Sequence, residues 1–155
     1  EQVATMRSVW RQEPLFEGVE PVGPVPLRPE GPRLLTGAMG PKGMARSAQW
    51  ADGVYAWSGN GEQHEVENTL ALAGFWYCLT ENGQQKLYDY CYNYLLIAGE
   101  EIAKWMADSV HRSNEDAVRE GLDNLEAAGC EEAMLSPVTS DLEEIDRLAE
   151  IVATR

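Results

Sequence analysis

Residues 32–57 are the stretch that most constrains how this chain can fold. A short apolar run, residues 34–38, ends in the glycine-rich turn Gly37 to Pro41, and a helical pattern follows. Asp52 and Gly53 break that pattern, and a second apolar run leads to Trp57. A strand, a helix and a strand in such quick succession predict a βαβ unit whose strands are parallel neighbours. The turn leads directly into a helix N-terminus, which suits an anion such as phosphate.

The charge of the chain limits its partners. The chain has 155 residues, which is enough for one domain with a core. It contains 12 basic and 26 acidic residues, which give a net charge of −14. This negative charge argues against nucleic acid and anionic membranes, because both would repel the chain. No signal peptide pattern is present, and no apolar run reaches the roughly 18 residues that a membrane span needs.

The three cysteines, Cys78, Cys91 and Cys130, are too few and too scattered for a disulfide framework or a zinc site. They indicate a reduced, cytoplasmic setting. We expect Cys78 and Cys130 to behave as small buried hydrophobic residues. His64 and His111 lack a nucleophile or carboxylate at motif spacing, so we expect surface histidines. No metal-binding cluster is evident.

Further elements of the same kind are predicted around the central unit. Residues 1–12 form an amphipathic helix, and residues 13–32, which hold six of the eight prolines, form an irregular connector that is either a functional insertion or a plain linker. The elements predicted after the central unit are a helix over 64–72, a strand over 74–80, two helices within 84–110 that break near Gly99, a helix over 113–129, a strand over 130–138 and a last helix from residue 140. This order predicts an α/β fold with parallel strands.

Two of the later helices carry notable apolar patterns. Four tyrosines at alternate positions 88–94 are typical of helix packing, and a stacking platform for a ligand is the rarer alternative. In the last helix Leu142, Ile145, Leu148, Ala149 and Val152 repeat at spacings of three and four.

The sequence Pro32 to Pro41, followed by the helix and by Ala51-Asp52-Gly53-Val54, resembles the luciferase-like flavin- and deazaflavin-dependent oxidoreductases. Three flanking segments resemble the same family in the same order. They are Met6 to Trp10 with Phe16-Glu17-Gly18, Leu79 to Gly83, and Ala127-Ala128-Gly129 through Pro137-Val138. The resemblance covers nearly the whole chain.

The resemblance implies a partial TIM barrel made of roughly the last four βα units, with residues 1–155 as a single domain. A complete barrel needs about 250 residues. The half in which the family keeps most of its catalytic residues is then missing, and the catalytic residues stay unknown. The partners implied are the N-terminal half of the barrel, or a second copy of the chain, and a small-molecule substrate.

The implied coenzyme is FMN or a deazaflavin, held at the carboxyl ends of the strands. The candidate cofactor-binding residues are Gly37, Ala38, Met39 and Gly40, because glycine lets a ligand approach the backbone. Trp57 and Ser58 are candidates for the substrate pocket. Family members that take a sugar phosphate carry a hydroxyl residue and a lysine where Trp57 and Asn60 align, so that substrate is not expected. Asp52 matches a family aspartate whose role is structural.

Three functional hypotheses remain open at this point. The first is part of an FMN-dependent monooxygenase or a deazaflavin-dependent oxidoreductase, which is inactive without the other half. The second is a non-catalytic, flavin-binding or oligomerising half-barrel. The third is an unrelated α/β domain.

Overall fold

The structure is a computed structural model that describes residues 1–28, 30–38, 40–57 and 70–155. The side chains of residues 57, 70 and 71 are outside this description. The chain divides into two compact units, Glu1–Gly53 and Val54–Arg155.

Four parallel strands form one sheet in the order β1-β2-β3-β4. The strands are β1 (Leu35–Thr36), β2 (Gly53–Trp57), β3 (Leu70–Tyr77) and β4 (Glu132–Pro137). The helices of the described residues are α1 (Gln2–Trp10), α2 (Pro41–Ser47), α3 (Gly83–Leu95), α4 (Glu100–Ser109), α5 (Glu115–Ala127) and α6 (Glu143–Ala153). A 3₁₀ turn, Leu96–Ala98, joins α3 to α4. The predicted α/β class with parallel strands is therefore confirmed, and the barrel stays a prediction.

In the first unit, the proline-rich connector passes close to α1. Gly31 is buried with φ +88°, and a Cβ built there would lie 2.3 Å from a ring carbon of Trp10. Only glycine tolerates both this positive φ and so close an approach of the Trp10 ring. The described residues of the connector hold neither helix nor strand, as predicted.

In the second unit, helices pack on both faces of β3. Trp76 joins Leu87 and Cys91 of α3 and Ala107 of α4 in one buried cluster. Phe75 points the opposite way, since side chains alternate along a strand, and it lies against Gly121 of α5. A strand covered on both faces reads as a nearly continuous apolar run, and residues 70–77 have that pattern.

Two of the four tyrosines of α3 contact Trp76 of β3. The rings of Tyr90 and Tyr94 stand edge-on to the indole of Trp76, with centroids 5.6 and 5.3 Å away. Tyr88 and Tyr92 stack on each other at 6.1 Å. The edge-on contacts agree with a packing role for Tyr90 and Tyr94.

Two local predictions were wrong. Residues 70–72, which we expected to end a helix, belong to β3, because Leu72 pairs with Tyr55 of β2 and Glu132 of β4. The rest of that helix, residues 64–69, lies outside the described residues. Cys130 is half-exposed rather than buried, because it precedes β4, whose first residues are exposed. Cys78 is buried as predicted.

Most of the apolar residues predicted to repeat along α6 lie outside its buried face. Leu142, Ile145 and Val152 are exposed, whereas Glu144 and Ile151 are buried. The helix is therefore oriented so that the carboxylate of Glu144 is buried. A buried charge requires partners that form hydrogen bonds with it.

Candidate functional site

The first candidate region is the turn between β1 and α2, where the cofactor-binding residues were predicted. Thr36 is buried, and its hydroxyl accepts a hydrogen bond from the Ala38 N–H at 3.1 Å. Gly40 has φ 77° and ψ 160°, a conformation almost restricted to glycine. A Cβ added to Gly40 would meet nothing within 4 Å, so open space adjoins this backbone. Gly37 is exposed and Ala38 half-buried. Met39 lies outside the described residues.

The N-terminus of α2 offers few donors. Pro41, the first helical residue, has no N–H. The Met44 N–H donates to the Gly40 carbonyl at 3.0 Å. Only the N–H groups of Lys42 and Gly43 remain from the first turn, in a helix of seven residues.

The candidate substrate-pocket residues lie where the description ends. Trp57 is the last residue of β2, and its backbone is in register with Gly74. The side chain of Trp57 and all of Ser58 are outside the described residues. Their role stays a prediction.

The second candidate region is a buried carboxylate at the carboxyl ends of β3 and β4. Glu144 is fully buried, and its Oε2 accepts the Leu79 N–H at 2.6 Å. Its Oε1 accepts the Thr80 hydroxyl at 2.8 Å and the Thr80 N–H at 3.3 Å. The Cys78 thiol, at 3.1 Å, and the Thr139 hydroxyl, at 3.4 Å, also donate to Oε1. Glu144 thus ties α6 to the residues that follow both strands.

These contacts determine the protonation of the cluster. Burial favours the neutral acid, but the hydrogen bonds from Leu79, Cys78 and Thr80 outweigh it and hold the pKa of Glu144 below its ordinary value. Burial, with the nearby charge of Glu144, raises the pKa of Tyr77 to about 12. Burial is also the main cause that raises the pKa of the Cys78 thiol. At neutral pH the cluster therefore holds one anion among neutral donors.

Two cations lie close to this cluster. Lys86 Nζ donates to the Thr80 hydroxyl oxygen at 3.2 Å. Arg147 donates to the Leu79 carbonyl and to the carboxylate of Glu143, both at 2.5 Å. Arg147 also borders a cavity of about 540 Å³ that Glu115 and Glu150 line as well. This lining has mixed charge.

The geometry of Glu144 indicates a positioning role. A general acid or base must reach a substrate proton, whereas both oxygens of this carboxylate are occupied by donors from its own chain. Sequence reasoning missed this residue. The available signal was its spacing, because Glu144 lies four and seven residues before Leu148 and Ile151 on one helix face.

Asp52 has the structural role that we expected. Its Oδ2 accepts the Leu34 N–H at 2.9 Å, and its own N–H donates to the Leu34 carbonyl at 2.8 Å. Arg7 donates to Oδ1 at 3.2 Å. These bonds connect the residues that precede β1 and β2.

Histidines and metal-ligating side chains are the remaining sources of chemistry in the described part of the chain. His111 is exposed, as predicted, and His64 lies outside the described residues. Within the described ranges, no three His, Cys, Asp or Glu side chains are grouped to hold a metal ion. None of the helices described there has the length and apolar character that crossing a membrane requires.

Fold and site together define an α/β protein with a parallel sheet, a glycine turn at the end of β1 and a buried carboxylate at the ends of β3 and β4. Comparison with known proteins found no matching family model, no matching curated protein and no matching solved structure. The resemblance to the luciferase-like oxidoreductases therefore rests on the sequence segments quoted above.

Proposed function

We propose that this chain is part of a luciferase-like oxidoreductase that uses reduced FMN or a reduced deazaflavin. The observation that carries the proposal is the turn at Gly40. Its glycine-specific backbone borders open space directly after a strand, where an enzyme of this class would hold the coenzyme.

The order of the strands supports the same proposal. β2, β3 and β4 are neighbours in chain order, and each pair is parallel. Consecutive parallel strands are the pattern of a β/α barrel, whereas a doubly wound sheet reverses its order at the binding crevice.

In the proposed enzyme the coenzyme would supply the redox chemistry, by hydride transfer or by reaction with oxygen. The residues of this chain would bind and orient it. The N–H groups of Lys42 and Gly43 face the same end of α2 as the turn and would donate to an anionic group. Thr36 holds the turn in shape through the Ala38 N–H.

A second candidate function, a non-catalytic flavin-binding or oligomerising unit, is favoured by one observation. α3 and α4 pack on the Trp76 side of β3, and α5 packs on the Phe75 side. In a closed barrel the helices cover only the outer side, and side chains from other strands fill the interior. Around β3, by contrast, helices cover both sides of the strand. This arrangement suits a sheet that does not close into a catalytic barrel.

Flavin titration tests both candidates. The intrinsic fluorescence of FMN, and separately of a deazaflavin, would be followed as the chain is added, with the mass of the protein in solution recorded. We expect saturable binding by the wild-type chain. Absence of binding by both coenzymes would contradict the proposal. Assembly of the chain into a defined oligomer without flavin binding would favour the oligomerising form of the second candidate.

A matched pair of variants localises the binding. Gly40→Ala strains a residue with φ 77° before α2, and Gly99→Ala strains one with φ 107° before α4. Neither new Cβ meets an atom within 4 Å, so the backbone strain is comparable, about 1–3 kcal/mol. Only Gly40→Ala should weaken flavin binding. Equal binding by both variants would exclude the turn as the coenzyme site.

A further inference from the structure

The charge of the chain is unevenly distributed between its two units. Residues 1–53 carry six basic and six acidic residues, whereas residues 54–155 carry six basic and twenty acidic residues. The net charge of −14 therefore resides entirely in the second unit, and the first unit is neutral. An anion is repelled far less by the first unit than by the second.

Four of the arginines in the first unit line one cavity of about 440 Å³. They are Arg7 of α1, Arg11 directly after α1, Arg28 of the connector and Arg33, two residues before β1. The carboxylates in the lining are Glu30 and Asp52. The cavity thus concentrates positive charge in an otherwise acidic chain, and its size lies in the range of small-molecule sites, about 300–1,000 Å³.

Arg7 and Arg11 lie one helical turn apart, Arg7 in α1 and Arg11 directly after its end. Arg7 and Arg11 are four residues apart, so they share one helix face, where like charges repel by a few tenths of a kcal/mol. Arg11 is paired with Glu13 at 2.8 Å, and Arg28 with Glu30 at 2.8 Å. Both pairs are about half-exposed and join residues two apart in sequence, so each is weak and exchangeable.

The guanidinium groups of Arg11 and Arg28 retain donors for a ligand. Each guanidinium has five N–H donors, and the ion pairs of Arg11 and Arg28 involve the Nε and Nη2 nitrogens of each group. Asp52, by contrast, is engaged by the Leu34 N–H at 2.9 Å and by Arg7 at 3.2 Å. Glu30 pairs with Arg28 of the same cavity at 2.8 Å, so its carboxylate would compete with a bound anion for that guanidinium.

We propose that this cavity binds a small multivalent oxyanion, such as a phosphate ester or a polycarboxylate. Arginine is the residue that recognises such groups with paired N–H donors. The cavity borders Arg33 and Asp52, the residues next to the amino-terminal ends of β1 and β2, whereas the Gly40 turn follows the carboxyl end of β1. The anion site is separate from the proposed coenzyme turn and does not depend on the proposed function.

Calorimetric titration with inorganic pyrophosphate, and separately with citrate, tests the site at constant ionic strength. We expect saturable binding of one anion per chain. The anion that binds more tightly assigns the ligand to the phosphate or to the carboxylate class. Absence of saturation by both anions would overturn the proposal.

Paired double variants separate the cavity from a general effect of charge. R11Q/R28Q removes two lining arginines and should weaken binding about tenfold or more, as expected for lost hydrogen bonds between charged groups. R46Q/K104Q removes the same charge from exposed positions of α2 and α4 outside this cavity and should change the affinity less than twofold. An equal loss in both double variants would overturn the proposal.

Glu30→Gln provides a test that unfolding cannot imitate. The pKa of Glu30 is held below its ordinary value by its own backbone and by Arg28, so the carboxylate is ionised at neutral pH. Its neutralisation should tighten binding severalfold. Unchanged or weaker binding by Glu30→Gln would contradict the proposed site.

Discussion

Glu144→Gln is the substitution whose effect follows most directly from the structure. The amide has nearly the shape of the carboxylate, but one oxygen becomes an NH₂ group. If the remaining oxygen faces the Leu79 N–H, the NH₂ faces the Thr80 N–H and loses that bond. The hydroxyls of Thr80 and Thr139 can rotate and accept from it.

The expected loss of stability is therefore moderate. Bonds to a charged acceptor contribute about 1.5–3 kcal/mol each and weaken by about half when the acceptor is neutral. A neutral amide also avoids the cost of burying a charge, which offsets much of this loss. With one backbone donor unsatisfied as well, Glu144→Gln should lower the free energy of unfolding by about 2 kcal/mol. For a chain of this length, that corresponds to roughly 4–8 °C in Tm. Urea unfolding measures the free energy and thermal unfolding measures Tm, both followed by circular dichroism.

The pH dependence distinguishes the lost charge from a general packing defect. Because the pKa of Glu144 is lower in the folded than in the unfolded state, its contribution is complete above the unfolded value of about 4.3 and is lost as the pH falls through the folded pKa. The Glu144→Gln variant should therefore lose less free energy of unfolding than the wild-type chain as the pH falls through this range. Its exposed neighbour provides the control, since Glu143→Gln removes a surface pair with Arg147 and should cost less than about 0.5 kcal/mol. Equal effects of the two substitutions, or an unchanged acid profile in Glu144→Gln, would refute the reasoning.

Three further predictions follow from described contacts. Gly121→Ala would place a Cβ 2.8 Å from the Phe75 ring, so it should lower the free energy of unfolding, measured in urea, by about 1–3 kcal/mol. A gain in stability would show that the ring can move. Asn114→Ala removes the side-chain oxygen that accepts the Ala117 N–H at the start of α5, and should cost about 1 kcal/mol in the same assay, whereas no loss would mean that water replaces this bond. A maleimide should modify the half-exposed Cys130 of the folded chain before Cys78 and Cys91, because these two thiols are buried and have raised pKa values. Mass spectrometry measures the modification, and rapid labelling of all three thiols would contradict this burial.

Most helices and strands could be predicted from the sequence because their signals are local. Asn114 begins α5 through its own side chain, and Gly129, with φ 73°, follows the end of that helix. Gly99 marks the break between the 3₁₀ turn and α4. In each case the conformation depends on one residue and its immediate neighbours.

The start of β3 could not be predicted in this way. The apolar run over residues 70–73 fits a helix or a strand, and short apolar runs do not distinguish the two. Pairing with β2 and β4 decides the outcome, because it satisfies the backbone groups of residues distant in sequence.

The same distinction between local signals and contacts of distant residues applies to the candidate sites. The sequence alone determined the position of the glycine turn at Gly40, since the conformation before α2 requires a residue without a side chain. It did not indicate the role of Glu144, most of whose donors come from residues 78–80, more than sixty positions earlier in the chain. Nor did it indicate the arginine cavity, which brings together α1, the connector and the residue before β2. Local conformation depends on each residue and its neighbours, whereas burial of a charge and convergence of side chains depend on which distant segments the fold brings together.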